Sequence, residues 1–182
     1  GVHGLKPDML TVGKPIGGGV PCGAFGMTHE IADRIAVGVA KDDLDVGGIG
    51  GTLAGNALSL AAMRATLTDV LTPAAYEHMI ALGTRWADGV DAAIAAVDAP
   101  WHCNRLGARG EYMFSEDAVR TGAEAFAAGD HALDEFLHLY ALNRGILMTP
   151  FHNMALLAPS TTEADVDAHT EMFNELLGEL FA

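Results

Sequence analysis

The sequence predicts an α/β chain in two parts. Residues 1–71 read as the end of a larger α/β layer, and residues 72–182 as a compact α+β domain. Three observations carry this. Two short apolar runs, Met9–Val12 and Val20–Met27, flank the glycines Gly17–Gly19, and two strands are too few to cover themselves. A helix restart falls at Thr72-Pro73, with Thr at the N-cap and Pro at the first helical position. Beyond it the pattern runs helix, strand pair, helix, strand pair, helix.

Met9–Val12 is too short for a helix and reads as a buried strand ending at Gly13. Three glycines in series forfeit regular structure, so 17–19 is a loop. Val20–Met27 is the second strand. Thr28 caps a short helix over His29–Ile35, and the glycine-rich, charged stretch 38–51 reads as a mobile loop. Asn56–Leu71 is an alanine-rich helix with Ala57, Leu60, Ala61, Arg64 and Leu67 at helical spacing.

The next helix runs from Pro73 to Val97 and is expected to bury Tyr76, Met79, Ile80, Gly83, Trp86, Val90 and Ile94, until Asp98-Ala99-Pro100 stops it. His102–Leu106 and Glu111–Phe114 read as strands around Gly107-Ala108-Arg109-Gly110. Asp130–Arg144 is an amphipathic helix, with Leu133, Phe136, Leu137, Tyr140 and Ala141 inward and Gly145 closing it. Ile146–Thr149 and Met154–Leu157 read as strands flanking 150–153. Ser160-Thr161-Thr162-Glu163 opens a final helix that runs to Leu180.

Composition excludes several functions. Half of the 182 residues are apolar, enough for a sizeable core. The formal net charge of −14 repels phosphate backbones and anionic lipid, so neither nucleic acid nor a membrane surface is an expected partner. No apolar stretch is long enough to span a bilayer. The eight histidines form no HxH or HExxH pattern, and Cys22 and Cys103 form no CxxC pair, so no metal is expected. Two free thiols suit a reducing cytoplasm. The start Gly1-Val2-His3 has neither Met nor a signal-peptide layout and reads as a chain entering mid-domain.

Lys14 is one of three lysines, with Lys6 and Lys41, and the one that joins an apolar strand end to a glycine run. A lysine amine is inert near its free pKa of about 10.4. Desolvated or placed beside another positive group, it becomes a nucleophile and condenses with an aldehyde. On these residues alone, a surface lysine at a strand end stands beside that reading.

The segment Asp8-Met9-Leu10-Thr11-Val12-Gly13-Lys14-Pro15-Ile16-Gly17-Gly18-Gly19, followed by Pro21, Gly23 and Ala24, resembles the active-site lysine segment of class III (omega-type) aminotransferases. Gly51-Thr52-Leu53-Ala54-Gly55-Asn56, leading into an alanine-rich helix, is similar to a second motif of that family, Gly-Thr-x-x-Gly-Asn. The resemblance covers essentially the whole chain. Leu142–Pro150 and Thr161–Asp167 look most like the glutamate-1-semialdehyde aminomutase and beta-amino-acid aminotransferase branch.

The resemblance implies the C-terminal part of a fold-type I transferase dependent on pyridoxal phosphate. Residues 1–71 would close the large cofactor-binding domain, and 72–182 would be the small domain. It implies that Lys14 bonds the cofactor as a Schiff base and then shuttles a proton between the substrate α-carbon and the cofactor. It also implies that Gly51 and Thr52 contact the cofactor phosphate of the neighbouring subunit, in a homodimer with shared active sites. Thr52 as a mere helix cap, and 17–19 as a mere turn, remain open. Arg109 could meet a substrate carboxylate with its two-pronged fork, or pair with a nearby acid on the surface.

The family's phosphate-binding Gly-Ser/Thr loop, its stacking aromatic and the Asp on the pyridine nitrogen lie upstream of the lysine, so the chain is expected to be incomplete. Pro15 departs from the residue usual after the lysine and is expected to leave function intact. The reaction expected is transfer of an amino group between an amine or amino acid and a keto acid or aldehyde. An aminomutase of the glutamate-1-semialdehyde type, a racemase or a lyase would start from the same Lys14 bond. A non-catalytic truncated chain is the rival of another class.

Overall fold

The computed structural model describes residues 4–40, 49–149 and 152–182. They fall into two compact units, Gly1–Thr72 and Pro73–Ala182.

The first unit opens on an antiparallel pair. Strand β1 (Met9–Val12) meets β2 (Ala24–Met27) with Met9 opposite Met27 and Val12 opposite Ala24. The pair is shorter than expected at its second strand. Pro21 has no N–H for a ladder, and its carbonyl is taken by a side chain, so 20–23 stays outside the sheet. β1 was also expected to be buried, yet all four of its residues are exposed. Among the described residues of the unit, β2 is the one strand that pairs with β1.

Helix α1 (His29–Val39) is capped by Thr28, whose hydroxyl accepts from the Ile31 N–H. It outruns the expected end at Ile35 and takes in Gly38; residues 41–48 of the expected loop lie outside the described residues. Helix α2 (Ala57–Ala65) is capped by Asn56. It was expected to reach Leu71 as one helix but widens into a π turn over Thr66–Val70, closed by the Leu71 N–H on the Thr66 carbonyl. Thr68 Oγ1 donates back to the Arg64 carbonyl at 2.7 Å, a competition that bends helix ends.

The second unit is built on α3 (Pro73–Ala96) and α6 (Glu163–Leu180), packed beside a three-stranded antiparallel sheet. That sheet orders β3 (His102–Leu106), β4 (Arg109–Met113) and β5 (Met154–Leu156). Trp86 and Val90 of α3 and Phe173, Leu176 and Leu177 of α6 are almost wholly buried. Trp101, Tyr112, Phe114 and Phe173 form an aromatic cluster with centroids 4.7–6.5 Å apart. Each such ring removed from water contributes about 2–3 kcal/mol. Tyr76 and Ile80, expected inward, are exposed on the other side of α3, as is Phe136 on α5 (His131–Leu142).

Helix ends follow backbone chemistry. α3 stops with Asp98 at φ +52, the Asp98 N–H on the Ala95 carbonyl and the Ala99 N–H on the Ile94 carbonyl. α5 stops the same way on Gly145 at φ +78, with Gly145 on Leu142 and Ile146 on Ala141. Ile146–Thr149, expected as a strand, is not one: the Ile146 N–H is spent closing α5 on the Ala141 carbonyl, and the Thr149 N–H reaches the Met154 carbonyl at 3.4 Å without a ladder forming. A short helix α4 (Gly122–Ala127) was not anticipated; Thr121 and Glu124 cap it reciprocally.

Candidate active site

The chain leaves β1 through Gly13 and enters a single 3₁₀ turn, Lys14–Gly17. Lys14 opens it with φ +49, one of two non-glycine residues at positive φ among the described residues. For an L-residue that conformation costs about 1–2 kcal/mol and persists where surrounding contacts impose it. Here Ile16 and Gly17 are buried, and the Gly18 N–H bonds the Pro15 carbonyl at 3.1 Å. Pro15, with its fixed φ, suits the second place of that turn. The Lys14 side chain is left exposed above a buried turn.

Helix α2 is what the turn rests on. Ser59, itself buried, donates its hydroxyl to the Pro21 carbonyl at 2.9 Å. Thr66, also buried, faces Gly18, where an added Cβ would lie 2.6 Å from Thr66 Oγ1. A Cβ on Gly17 would overlap the Cys22 sulfur. Gly17 and Gly18 are therefore close-packed, against Cys22 and Thr66, while Gly19 faces open space.

Gly51 and Thr52 precede the same helix. The Ala54 N–H bonds the Gly51 carbonyl at 2.9 Å, so 51–54 is a tight turn with Thr52 exposed at its tip. Thr52 is not the cap of α2. That position belongs to Asn56, whose Oδ1 accepts from the Ser59 N–H at 3.0 Å. Asn56 Nδ2 also donates to the Leu53 carbonyl and to Ser59 Oγ, each at 3.0 Å.

These residues fit pyridoxal phosphate at two points. A primary amine on an exposed, tightly turned backbone suits its aldehyde. A hydroxyl and backbone N–H groups ahead of a nine-residue helix suit its phosphate. Space above Gly51 is open, with no atom within 4 Å of where a Cβ would stand.

Arg109 belongs to the second unit. It was expected between strands but is the first residue of β4, since the turn is shorter than expected. Its Nη2 donates to Glu111 at 2.8 Å and its Nε lies 2.6 Å from the Met154 sulfur. Glu111 also meets His152 Nδ1 at 3.2 Å. Pro150 and Phe151, in the stretch 150–153 expected between two strands, lie outside the described residues. Cys22 and Cys103 are unbridged and half-buried, and burial, helped by Asp91, pushes the Cys103 thiol up to about 12. Among the described residues no cluster suited to a metal and no helix fit to cross a membrane is found.

Ser59, Asn56 and Thr66 were not singled out as site residues. Asn56 stood inside the quoted motif, but the contacts of Ser59 and Thr66 span more than thirty positions and leave no local trace.

The profile described as Aminotransferase class-III matches residues 1–177. The chain belongs to the class-III aminotransferase family. It is 36% identical over 169 residues to a glutamate-1-semialdehyde 2,1-aminomutase of Anaeromyxobacter sp. (strain Fw109-5), covering 92% of this chain and 37% of that protein. A crystal structure of a glutamate-1-semialdehyde-aminomutase variant from Pseudomonas aeruginosa PAO1 in complex with PMP superposes with a TM-score of 0.92 at 45% identity, covering 98% of this chain and 40% of that one. A beta-phenylalanine aminotransferase from Variovorax paradoxus gives 0.77 at 28% identity, over 97% and 39%. The fold is thus part of the fold-type I architecture, and the chain spans about two fifths of the length of these relatives.

Proposed function

We propose that this chain is the C-terminal part of a pyridoxal-phosphate-dependent enzyme that transfers an amino group between an amine or amino acid and a keto acid or aldehyde. The observation that carries the reading is Lys14, held at φ +49 on a turn packed against α2, with its amine exposed. When bound, pyridoxal phosphate supplies an aldehyde for attachment and a ring that takes up the electron pair left when the substrate α-carbon loses its proton. Lys14 Nζ tethers the cofactor and, once free, carries the proton to and from the α-carbon.

Gly51 and Thr52 hold the phosphate of the neighbouring subunit through hydroxyl and N–H donors, which makes the protein a homodimer with shared sites. Arg109 meets a substrate carboxylate, and to do so it exchanges Glu111 for it. The partners are a small-molecule amino donor and a keto acid or aldehyde acceptor, and the compartment is the cytoplasm. The test is to add pyridoxal phosphate to the full-length protein, reduce with borohydride and map the modified residue by mass spectrometry. Label on Lys14 is expected; label on Lys6 or Lys41, or none, overturns the reading.

A second reading, an aminomutase of the glutamate-1-semialdehyde type, is favoured by the names of the relatives at 36% and 45% identity. It predicts turnover of glutamate-1-semialdehyde with no external keto acid. A strict need for an added acceptor rejects it.

A further inference from the structure

Glu111 is a carboxylate shared between two donors. Its Oε2 accepts from Arg109 Nη2 at 2.8 Å, and its Oε1 lies 3.2 Å from His152 Nδ1. A carboxylate only accepts, so the proton between Glu111 and His152 sits on Nδ1. The Glu111 side chain is 21% exposed, against 50% for Arg109 and 54% for His152. It stands in the wall of two cavities. One, of about 190 Å³, is bordered by Arg105, Arg109 and Glu111. The other, of about 710 Å³, is bordered by Glu111, His152 and Asn153.

Of the residues bordering the smaller cavity, two are arginines and one, Glu111, is acidic. A substrate carboxylate that takes Arg109 must displace the carboxylate already there. The Glu111 backbone cannot follow, because β4 is the central strand and Glu111 is paired with Asn104 on one side and Met154 on the other. Only its side chain can turn. A largely buried anion stripped of its partner is costly, and His152 already meets the oxygen that Arg109 does not use. His152 is itself held through its main chain: its carbonyl accepts from His138 Nε2 at 3.0 Å, and its N–H reaches the Thr149 carbonyl at 3.3 Å. Across from it, Arg109 Nε rests against the Met154 sulfur. Both donors therefore keep their places while the carboxylate between them gives up one of its two bonds.

We propose that His152 is a positioning residue that favours substrates bearing a carboxylate: it holds Glu111 when the substrate takes Arg109, so that the exchange leaves no charge unpaired. This rests on the assignment of Arg109 to a substrate carboxylate made above. A donor without a carboxylate leaves the Arg109–Glu111 pair closed and has no need of His152. Loss of the His152 side-chain donor is expected to act on KM for carboxylated donors, because the main-chain bonds at 152 survive the substitution.

The test uses the full-length enzyme loaded with pyridoxal phosphate and two matched pairs of donors, 4-aminobutyrate with propylamine and L-alanine with ethylamine. His152→Phe is expected to raise KM for the carboxylated member about tenfold, with kcat within about twofold and KM for the amine member unchanged. His152→Gln, which keeps an N–H donor, is expected to stay within about threefold of the parent. In a Glu111→Gln background, His152→Phe is expected to do nothing further, since no anion remains to be held. A parent with no preference for the carboxylated member of either pair overturns the proposal. So does an unchanged KM in His152→Phe, or one that rises equally for both members of a pair. A well-folded His152→Gln as poor as His152→Phe, or an effect that persists in the Glu111→Gln background, overturns it too. Failure of the underlying assignment looks different, since Arg109→Lys would then leave KM for the carboxylated donors as it is in the parent.

Discussion

Thr66 Oγ1 stands 2.6 Å from the place a Cβ on Gly18 would occupy, and Gly18 itself has φ +57. Both facts forbid a side chain there. Gly18→Ala is expected to meet the left-handed penalty of about 1 kcal/mol and a clash with a buried residue on top of it. The loop must then lift from α2 and carry Lys14 with it. Weakened pyridoxal phosphate binding together with a lower melting temperature is the expected result. Gly19→Ala meets no atom within 4 Å, although its φ of +97 strains it too, so the smaller of the two losses is expected there. Equal losses would show that Thr66 is not what the loop leans on.

Lys14 is in a backbone conformation that glycine adopts at no steric cost. Lys14→Ala and Lys14→Gly should both abolish cofactor labelling and amino transfer. They should differ in stability, with the glycine variant more stable by about 1 kcal/mol because the strain is relieved. Urea titration of the two apoproteins measures the difference. If Lys14→Ala is as stable as Lys14→Gly, the lysine is not strained.

How much of this was legible in the sequence depends on how far each cause reaches along the chain. Caps are local, and Thr28, Asp130 and Thr162 mark helix starts where a polar oxygen precedes the helical run. The Thr121–Glu124 box is equally local, a threonine three residues ahead of a glutamate. The strand expected at Ile146–Thr149 fails for a reason outside those four residues: the Ile146 N–H is spent closing α5 on the Ala141 carbonyl. Exposure of β1 is of the same kind, since an apolar run does not say what covers it. In the site, the lysine and the glycines were readable by type, but the positive φ of Lys14 was not, because lysine carries no mark of it. The Arg109–Glu111 pair could have been read, as residues two apart on a strand share a face.

That pair gives a prediction of its own. Glu111 occupies the guanidinium that a substrate carboxylate would need. Glu111→Gln is expected to lower KM for a carboxylate-bearing substrate with little change in kcat, and Arg109→Lys to raise it, since an ammonium cannot reproduce the fork. The pair is half exposed on the arginine side, so its contribution to stability stays within about 1 kcal/mol. If KM responds to neither change, Arg109 has no part in substrate binding.

His169 offers a test by pH. It lies on α6, 4% exposed, beside Trp86 and Phe173 at centroid distances of 5.2 and 5.8 Å. Neither ring nitrogen has a partner, and a cavity of about 380 Å³ bordered by Trp86, Met148 and Val166 adjoins it. Burial holds its pKa down at about 4, against 6.5 for the free side chain. The folded protein thus keeps His169 neutral while the unfolded chain takes up a proton below pH 6.5, so stability falls as pH drops from 6.5 towards 4. The full loss across that window is about 3 kcal/mol at most, at roughly 1.4 kcal/mol per pH unit. His169→Leu removes the titrating group and two unpartnered nitrogens at similar volume. Urea midpoints measured from pH 7 to pH 4 should therefore fall more steeply for the parent than for the variant. At pH 7 the variant should be at least as stable, because no buried polar atom has been left without a partner that had one before. Parallel pH profiles for the two proteins would mean that His169 reaches solvent and is not held neutral by the fold.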